Sequence, residues 1–314
     1  MSAPEVAGTR PLLIVVGPTA SGKSSLALQL AEQLNGEIIS CDSVAVYRMM
    51  DIGAAKPTPE DRARIPHHCI DTHWPNEACT AGDYARMARA AIADISARGK
   101  LPIIAGGTGL YLRATLEGLA PSPQRNEELR ERLRERAATK PAGYLHRVLS
   151  RLDARAASAI HPNDTPKLIR AIEVSLVAAV PQTEQWEQGR DPLTGYRILQ
   201  LGLTPPRELL YEQINLRAEQ MFHRGLLAET EAVVDRFGAD CRALTSLGYA
   251  QSLAVLRKEV TLLDAIVAAQ QGHRNYAKRQ LTWFRRDTSI HWLSSFGTKP
   301  NAFSTAVDYL EPRL

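Results

Sequence analysis

Eight residues near the amino terminus carry the strongest chemical signal in the chain: Gly17-Pro18-Thr19-Ala20-Ser21-Gly22-Lys23-Ser24. They fit G-x-x-x-x-G-K-[ST], the pattern of a phosphate-binding loop or P-loop. Its glycines let the backbone curl until several N–H groups point inward at phosphate oxygens. The helix that follows such a loop adds its positive amino-terminal end. Lys23 supplies a point charge, and the Ser24 hydroxyl can hold Mg²⁺. The motif says that a di- or triphosphate binds, and leaves open what reacts and whether ATP is among the ligands.

Ligands of parallel sheets sit beyond the carboxyl ends of the strands, so the residues there matter most. Asp42-Ser43 follows the apolar run that ends at Cys41, and Gly106-Gly107-Thr108-Gly109-Leu110-Tyr111 follows the one that ends at Ala105. Asp42 has three readings: a ligand for Mg²⁺, a general base, or a turn cap. Thr108, flanked by glycines, either approaches a substrate closely or marks a tight turn. The four cysteines (Cys41, Cys69, Cys79, Cys241) include no C-x-x-C pair. Neither a disulfide framework nor a zinc knuckle is indicated, which fits a cytoplasmic protein with reduced thiols.

Short β-branched runs and helical periodicities set these groups in place. Pro11 to Val16 reads as a buried parallel strand ending at Gly17. Ser24 to Leu34 carries Leu26, Leu30 and Leu34 at helical spacing, and Glu37 to Cys41 is a second strand. A weaker strand surrounds His68-Cys69-Ile70-Asp71. Tyr84 to Arg98 is a helix stopped by Gly99, and Leu101 to Ala105 is a further strand. The alternation predicts an α/β fold, a P-loop-type parallel sheet core flanked by helices.

The pattern changes after Leu119. Ala120-Pro121-Ser122-Pro123 looks like a linker, helices run from Asn126 to about Val180, and Pro181 to Pro192 is polar and turn-rich. Tyr196 to Leu203 returns to strand character. Helices follow from Pro206, the last from Leu262 to Arg285 with Leu262, Ile266, Ala269, Tyr276 and Phe284 as its buried face. The expected division is therefore residues 1–118 as the first part of the core, 119–195 as an inserted all-helical domain, and 196–295 as the second, mostly helical part. Residues 296–314 read as a tail.

With 44% hydrophobic and 23% charged residues among 314, the chain has the composition of a soluble globular protein. No apolar run approaches the roughly 20 residues that span a bilayer, so no membrane is expected, and no secretory leader pattern opens the chain. The net charge of +4 is small, but it is unevenly spread. Residues 121–170 hold eleven Lys/Arg against six Asp/Glu, and residues 272–286 hold five Lys/Arg and no acid. Segregated basic stretches suggest a polyanionic partner.

Taken together, the motifs resemble the tRNA dimethylallyltransferase (isopentenyl-diphosphate:tRNA transferase) family. The matching pieces include the loop at 17–24, Asp42-Ser43 with Val46-Tyr47-Arg48, Asp51-Ile52-Gly53 and Ala55-Lys56-Pro57. His67-His68, Ile70-Asp71, Gly106 to Tyr111, Pro162-Asn163-Asp164 and Arg170 to Val174 continue the match. Arg217, Met221, Gly225-Leu226-Leu227, Glu229, Gly248-Tyr249 and Tyr276 to Arg285 complete it. The resemblance implies transfer of a dimethylallyl group from dimethylallyl diphosphate to N6 of the adenosine 3′ to the anticodon. It implies Mg²⁺ as cofactor, the tRNA anticodon arm as partner, and a monomer. Gly17 to Ser24 and Arg217 would hold the donor diphosphate, with Ser24 on the metal. Asp42 would be the base and Thr108 would assist near the reacting groups. The tRNA contacts implied are Asp42, Ser43, Val44, Ala45, Arg130, Pro166, Lys167, Leu168, Ile169, Arg170, Gly248, Tyr249, Gln251, Arg274, Lys278 and Arg279.

Some positions depart from the family pattern. Ala45 stands where glutamine is expected, and alanine makes no bidentate contact with adenine. Ala54, Lys167, Ala178-Ala179 and Ala250 depart as well. The losses concentrate in tRNA-facing motifs, so donor binding is expected to persist with altered tRNA selectivity. The competing readings are an isopentenyltransferase for free adenine nucleotides, a small-molecule or nucleotide kinase, and an RNA-binding protein with a vestigial P-loop. The basic stretches, the lack of a recognisable phosphoryl-acceptor site or arginine-bearing lid, and the intact Lys23, Ser24 and Asp42 weigh against them in turn.

Overall fold

Alternation along the first strand divides its side chains between two cores. The structure, a computed structural model, describes residues 9–120, 122–187 and 189–314. In β1 (Arg10–Val16), Leu12, Ile14 and Val16 join one buried cluster while Leu13 and Val15 join another. Side chains of a strand alternate between faces, so a run that is apolar throughout means that both faces are covered. The chain forms two compact units. One runs to Leu116 and resumes at Leu193; the other is Glu117–Pro192.

In the larger unit, β1 is followed by α1 (Lys23–Gln33), β2 (Gly36–Cys41), α2 (Pro59–Arg64), β3 (His67–His68), α3 (Ala81–Ala97), β4 (Leu101–Gly106) and α4 (Gly109–Glu117). The smaller unit then contributes α5 (Glu127–Thr139), α6 (Tyr144–Leu152), α7 (Ala154–Ala159), α8 (Thr165–Ala178) and α9 (Gln182–Glu187). The larger unit resumes with β5 (Tyr196–Leu203), α10 (Arg207–His223), α11 (Leu226–Phe237), α12 (Tyr249–Leu256), α13 (Leu262–Phe284), β6 (His291–Leu293) and α14 (Pro300–Leu310). Its six strands form one sheet in the order β3-β2-β4-β1-β5-β6, every pair parallel.

The fold class is the one expected, and most element bounds shift by a residue or two. α3 begins at Ala81 rather than Tyr84 because Thr80 and Asp83 form a capping box: the Asp83 N–H donates to Thr80 Oγ1 at 3.1 Å and the Thr80 N–H to Asp83 Oδ2 at 3.0 Å. Gly99 stops it in a left-handed conformation, φ 71°. Leu262 is half exposed rather than buried, because it is the first residue of α13.

Residues past 295 differ most from expectation. They are no loose tail: α14 lays Ala302, Ala306 and Leu310 on the core, the last two in the cluster with Leu13, Val15, Leu26 and Leu30. The smaller unit, Glu117–Pro192, starts and ends slightly earlier than the expected 119 and 195. Among the described residues no helix is long and apolar enough to cross a membrane.

The smaller unit is helical throughout, around Leu133, Leu145, Leu149, Leu168 and Ile172. A short helix, α9, occupies the stretch that reads as turn-rich. It is held there by Asp153, whose carboxylate accepts from the Thr183 N–H at 2.8 Å and from its hydroxyl at 3.0 Å. At its centre Glu173 is fully buried and accepts from Arg130 Nε (2.9 Å) and Nη2 (2.7 Å), Arg170 Nη1 (2.6 Å) and the Asn126 N–H (2.7 Å). Burial opposes the charge, but these donors outweigh it and hold the carboxyl below the usual range. Removing one member of such a cluster strands the others, so Glu173→Ala is expected to cost about 3–5 kcal/mol in urea unfolding. A loss under about 1 kcal/mol would show that the cluster is solvated and weak.

Candidate active site

Strand register brings the predicted residues together. Val16 and Cys41 both pair with Gly106, and Val16 pairs with Gly202, so β1, β2, β4 and β5 reach the same edge of the sheet. Beyond that edge lie the glycine-rich loop, Asp42-Ser43 and Gly107-Thr108. The loop turns into α1 at Gly22, φ 84°, where a Cβ would fall 2.9 Å from the backbone nitrogens of Gly297 and Thr298. Only glycine meets both demands. No side chain caps α1 and no acid lies in its first turn, so its leading N–H groups are free for an anion.

Two cations and one carboxylate define the electrostatics. Lys23 is curled over the loop, its Nζ 3.3 Å from the Pro18 carbonyl oxygen. Burial, then the nearby Arg217 charge, lower its pKa to about 8, against the pull of Asp42. Arg217, on α10, is likewise pushed down by burial and supported by Asp42. Holding two half-buried cations close together is costly, and a polyanion with oxygens reaching both relieves that cost.

Asp42 uses Oδ1 to accept from the N–H groups of Val44 (2.8 Å) and Ala45 (3.3 Å). The turn-capping role is thus real, and it leaves Oδ2 uncommitted among the described residues. Thr108 Oγ1 accepts from the Ser43 N–H at 3.2 Å, tying the two strand-end loops together. The predicted metal ligand, the Ser24 hydroxyl, is exposed on the first turn of α1. Mg²⁺ is typically held by one or two protein oxygens together with substrate phosphates and water. Ser24 and Asp42 suit that mode, and among the described residues no cluster of three His, Cys, Asp or Glu offers an all-protein site.

Three residues of α13 belong here without having been assigned roles from sequence. The Tyr276 phenol lies beside Thr108 and Asp42; burial, then the Asp42 charge, raise its pKa to about 12. His273 lines a small pocket with Thr19, Ala20, Arg217 and Met221. Its Nε2 is buried without a partner, and burial plus Arg217 lower its pKa to about 4, so it is neutral at pH 7. Gln280 joins Thr19 to Gly107. All three lie in the stretch 272–286, whose sequence reads as basic charge, a helix face and a family match without pointing to these side chains.

The expected RNA-contact positions divide into exposed and structural ones. Lys278, Arg279, Pro166 and Lys167 are exposed, and Arg279 lies over the Tyr276 ring at 5.6 Å. Arg274 is tied to Asn215 and Gln271. Arg130 and Arg170 are committed to Glu173. Leu168 and Ile169 are core side chains of the helical unit, and Ala45 is buried at 4%. Tyr249 is fully buried, its hydroxyl donating to Glu229 Oε1 at 2.6 Å, while Gln251 Oε1 accepts from the Gly248 N–H at 2.8 Å. Leu168, Ile169 and Tyr249 therefore offer no side-chain surface for contact, since packing has claimed them. His68 is also structural: its Nε2 lies 2.8 Å from Glu37 Oε2.

The far end of the chain supports the loop. The Gly297 N–H donates to the Ser21 carbonyl at 2.9 Å, and Phe296 and Ala20 both pack against the cluster of Leu210, Ile214 and Ala277. A Cβ on Gly297 would fall 2.4 Å from the Gly22 carbonyl oxygen. Gly297→Ala is expected to cost about 1–3 kcal/mol of stability and to weaken calorimetric binding of inorganic diphosphate. Unchanged affinity would show that the loop keeps its shape without this contact.

Comparison with known proteins gives a consistent picture. The IPP transferase family profile matches residues 45–287. The tRNA dimethylallyltransferase of Koribacter versatilis is 58% identical over 286 residues, 91% of this chain and 93% of that one. That of Solibacter usitatus is 53% identical over 299 residues, 95% and 97% of the two chains. The crystal structure of the full-length tRNA isopentenylpyrophosphate transferase from Bacillus halodurans superposes with a TM-score of 0.71, at 36% identity and 96% coverage of each chain.

Proposed function

The chain belongs to the tRNA dimethylallyltransferase family of IPP transferases, and on that premise we propose how its residues carry out the transfer. The substrates are dimethylallyl diphosphate and a tRNA, and the accepting atom is exocyclic N6 of the adenosine 3′ to the anticodon. The observation that carries this reading is the half-buried trio of Lys23, Arg217 and Asp42: two cations suited to a departing diphosphate, beside a carboxylate with one oxygen uncommitted.

The N–H groups of the loop and of the first turn of α1 hold the diphosphate, with Lys23 and Arg217 against its oxygens. Ser24, together with the diphosphate, would ligate Mg²⁺, which supplies further neutralisation of the leaving group. Adenine N6 is a weak nucleophile because its lone pair is delocalised into the ring. Asp42 Oδ2 takes its proton as the N6–C1 bond forms and the C1–O bond breaks, the electron pair leaving with the diphosphate. Thr108, fixed by its bond to Ser43, holds the acceptor side in register. The exposed Lys278 and Arg279 on α13, and Lys167 in the helical unit, supply phosphate contacts that make RNA binding salt-sensitive. Ala45 adds no side-chain polar group for reading the base, consistent with relaxed selectivity.

The decisive experiment incubates the protein with Mg²⁺, dimethylallyl diphosphate and total tRNA, then weighs the digested nucleosides. Prenylated adenosine is expected. In Asp42→Asn, Oδ1 still caps Val44 and Ala45 but the base is gone, so kcat should fall roughly 10²–10⁴-fold with donor affinity held within a few-fold. No mass gain on the RNA, with ATP hydrolysed and its phosphate passed to a small acceptor, would instead favour a kinase.

Lys23 gives a pH signature. Its pKa of about 8 applies before an anion binds, and the diphosphate raises it. Below pH 8 Lys23 is charged and contributes fully; above it, binding must first protonate the amine. Diphosphate affinity relative to Lys23→Arg should therefore fall by up to about tenfold per pH unit above pH 8. A ratio that stays flat from pH 7 to pH 9.5 would mean Lys23 does not meet the diphosphate.

A further inference from the structure

Gln280 lies on α13 with 5% of its surface exposed, and its amide is fully engaged at two strand-end loops. Oε1 accepts from the Thr19 N–H at 2.8 Å, inside the glycine-rich loop. Nε2 donates to the Gly107 carbonyl at 3.0 Å, one residue before Thr108. The seat is tight: a Cβ on Gly107 would fall 1.9 Å from Gln280 Nε2. On the same face of the helix, Ala277 and Phe284 are buried at 0% and 3%, which fixes the helix that carries the amide.

The two bonds have opposite polarity, one accepted and one donated, at the end of a single side chain. An amide meets both; an ionised carboxylate meets only the first, and a thioether of the same length accepts only weakly and donates nothing. Thr19 belongs to the loop read above as the donor cradle. Gly107 leads to Thr108, whose hydroxyl fixes the Ser43 N–H beside Asp42. Tyr276, one turn earlier on α13, stands next to Thr108 and Asp42. A shift of either loop would thus change the distance between leaving-group cradle and base, while leaving the exposed cations of α13 where they are.

We infer that Gln280 is a positioning residue for the transfer, setting the glycine-rich loop and the Thr108 loop at a fixed separation. It touches neither substrate in this reading, and the inference rests on assigning the donor to the loop at 17–24. Wild-type protein is measured first, since absent transfer there would overturn that assignment and not this one.

Three proteins are then compared at saturating tRNA with dimethylallyl diphosphate varied: wild type, Gln280→Met and Gln280→Glu. Gln280→Met keeps volume but loses both bonds, and misplacement of this kind costs up to roughly 10²-fold in rate. Its kcat should fall and its donor KM rise, with tRNA affinity by filter binding within twofold of wild type. The readout that a merely structural role would not move is the pH profile of Gln280→Glu. Burial raises the pKa of a carboxyl in that seat, and its neutral form can accept from Thr19 and donate to Gly107 as the amide does. The ratio of Gln280→Glu to wild-type kcat should therefore climb by up to about tenfold per pH unit as pH falls from 8 to 6. A flat ratio overturns the inference, whether or not Gln280→Met folds. So does a well-folded Gln280→Met with kcat and donor KM within twofold of wild type.

Discussion

Two like charges kept close inside a protein are the constraint from which the larger unit can be understood. Lys23 and Arg217 lie far apart in the sequence, one on the first helix and one on the tenth, with Asp42 as their counter-charge. The parallel register supplies the platform, because β1, β2 and β4 end at one level and deliver the loop, the carboxylate and Thr108 side by side. The cost of desolvating the cations is met by covalent fixture in a packed fold, which does not have to be supplied again when an anion arrives. What the anion gains is the relief of a repulsion that the fold already maintains.

Much of what makes the chain recognisable does not touch that trio. Lys56, with its side chain 2% exposed, bonds to Asp51, Asp71 and the Tyr47 carbonyl. Glu229 accepts from the N–H groups of Asp51, Ile52 and Gly53, and Tyr249 presses its ring against Gly53 while donating to the same carboxylate. These residues shape the segment that follows Asp42, through Val46, Tyr47 and Met50 of the core. In the helical unit, Arg130 and Arg170 are spent on Glu173. A motif of charged and aromatic residues is thus as much a record of how one wall is built as of what it meets.

The sheet and the glycine-rich loop were readable because each rests on a local signal. Apolar runs buried on both faces mark β1, β2, β4 and β5, and the spacing from Gly17 to Ser24 marks the loop. Elements that depend on distant partners were not. β6 is three residues at the edge of the sheet, His291-Trp292-Leu293, too short for any periodicity. α14 carries a stripe of small residues, and α9 is polar, each held by contacts far away in sequence. The same reason hid Gln280, whose partners lie 261 and 173 residues away. It also made Tyr249 look like a contact residue when its hydroxyl is internal.

The loop at 17–24 is synthesised well before the segments that support it. β1 needs β5, Thr19 needs Gln280, and Ser21 needs Gly297. Pairings this distant close slowly, because the intervening chain must be gathered before they form. A nascent chain stalled between residues 24 and 296 carries every phosphate-binding residue of the motif, but without the complete frame that aims them. Competence of the loop therefore waits on synthesis through residue 297.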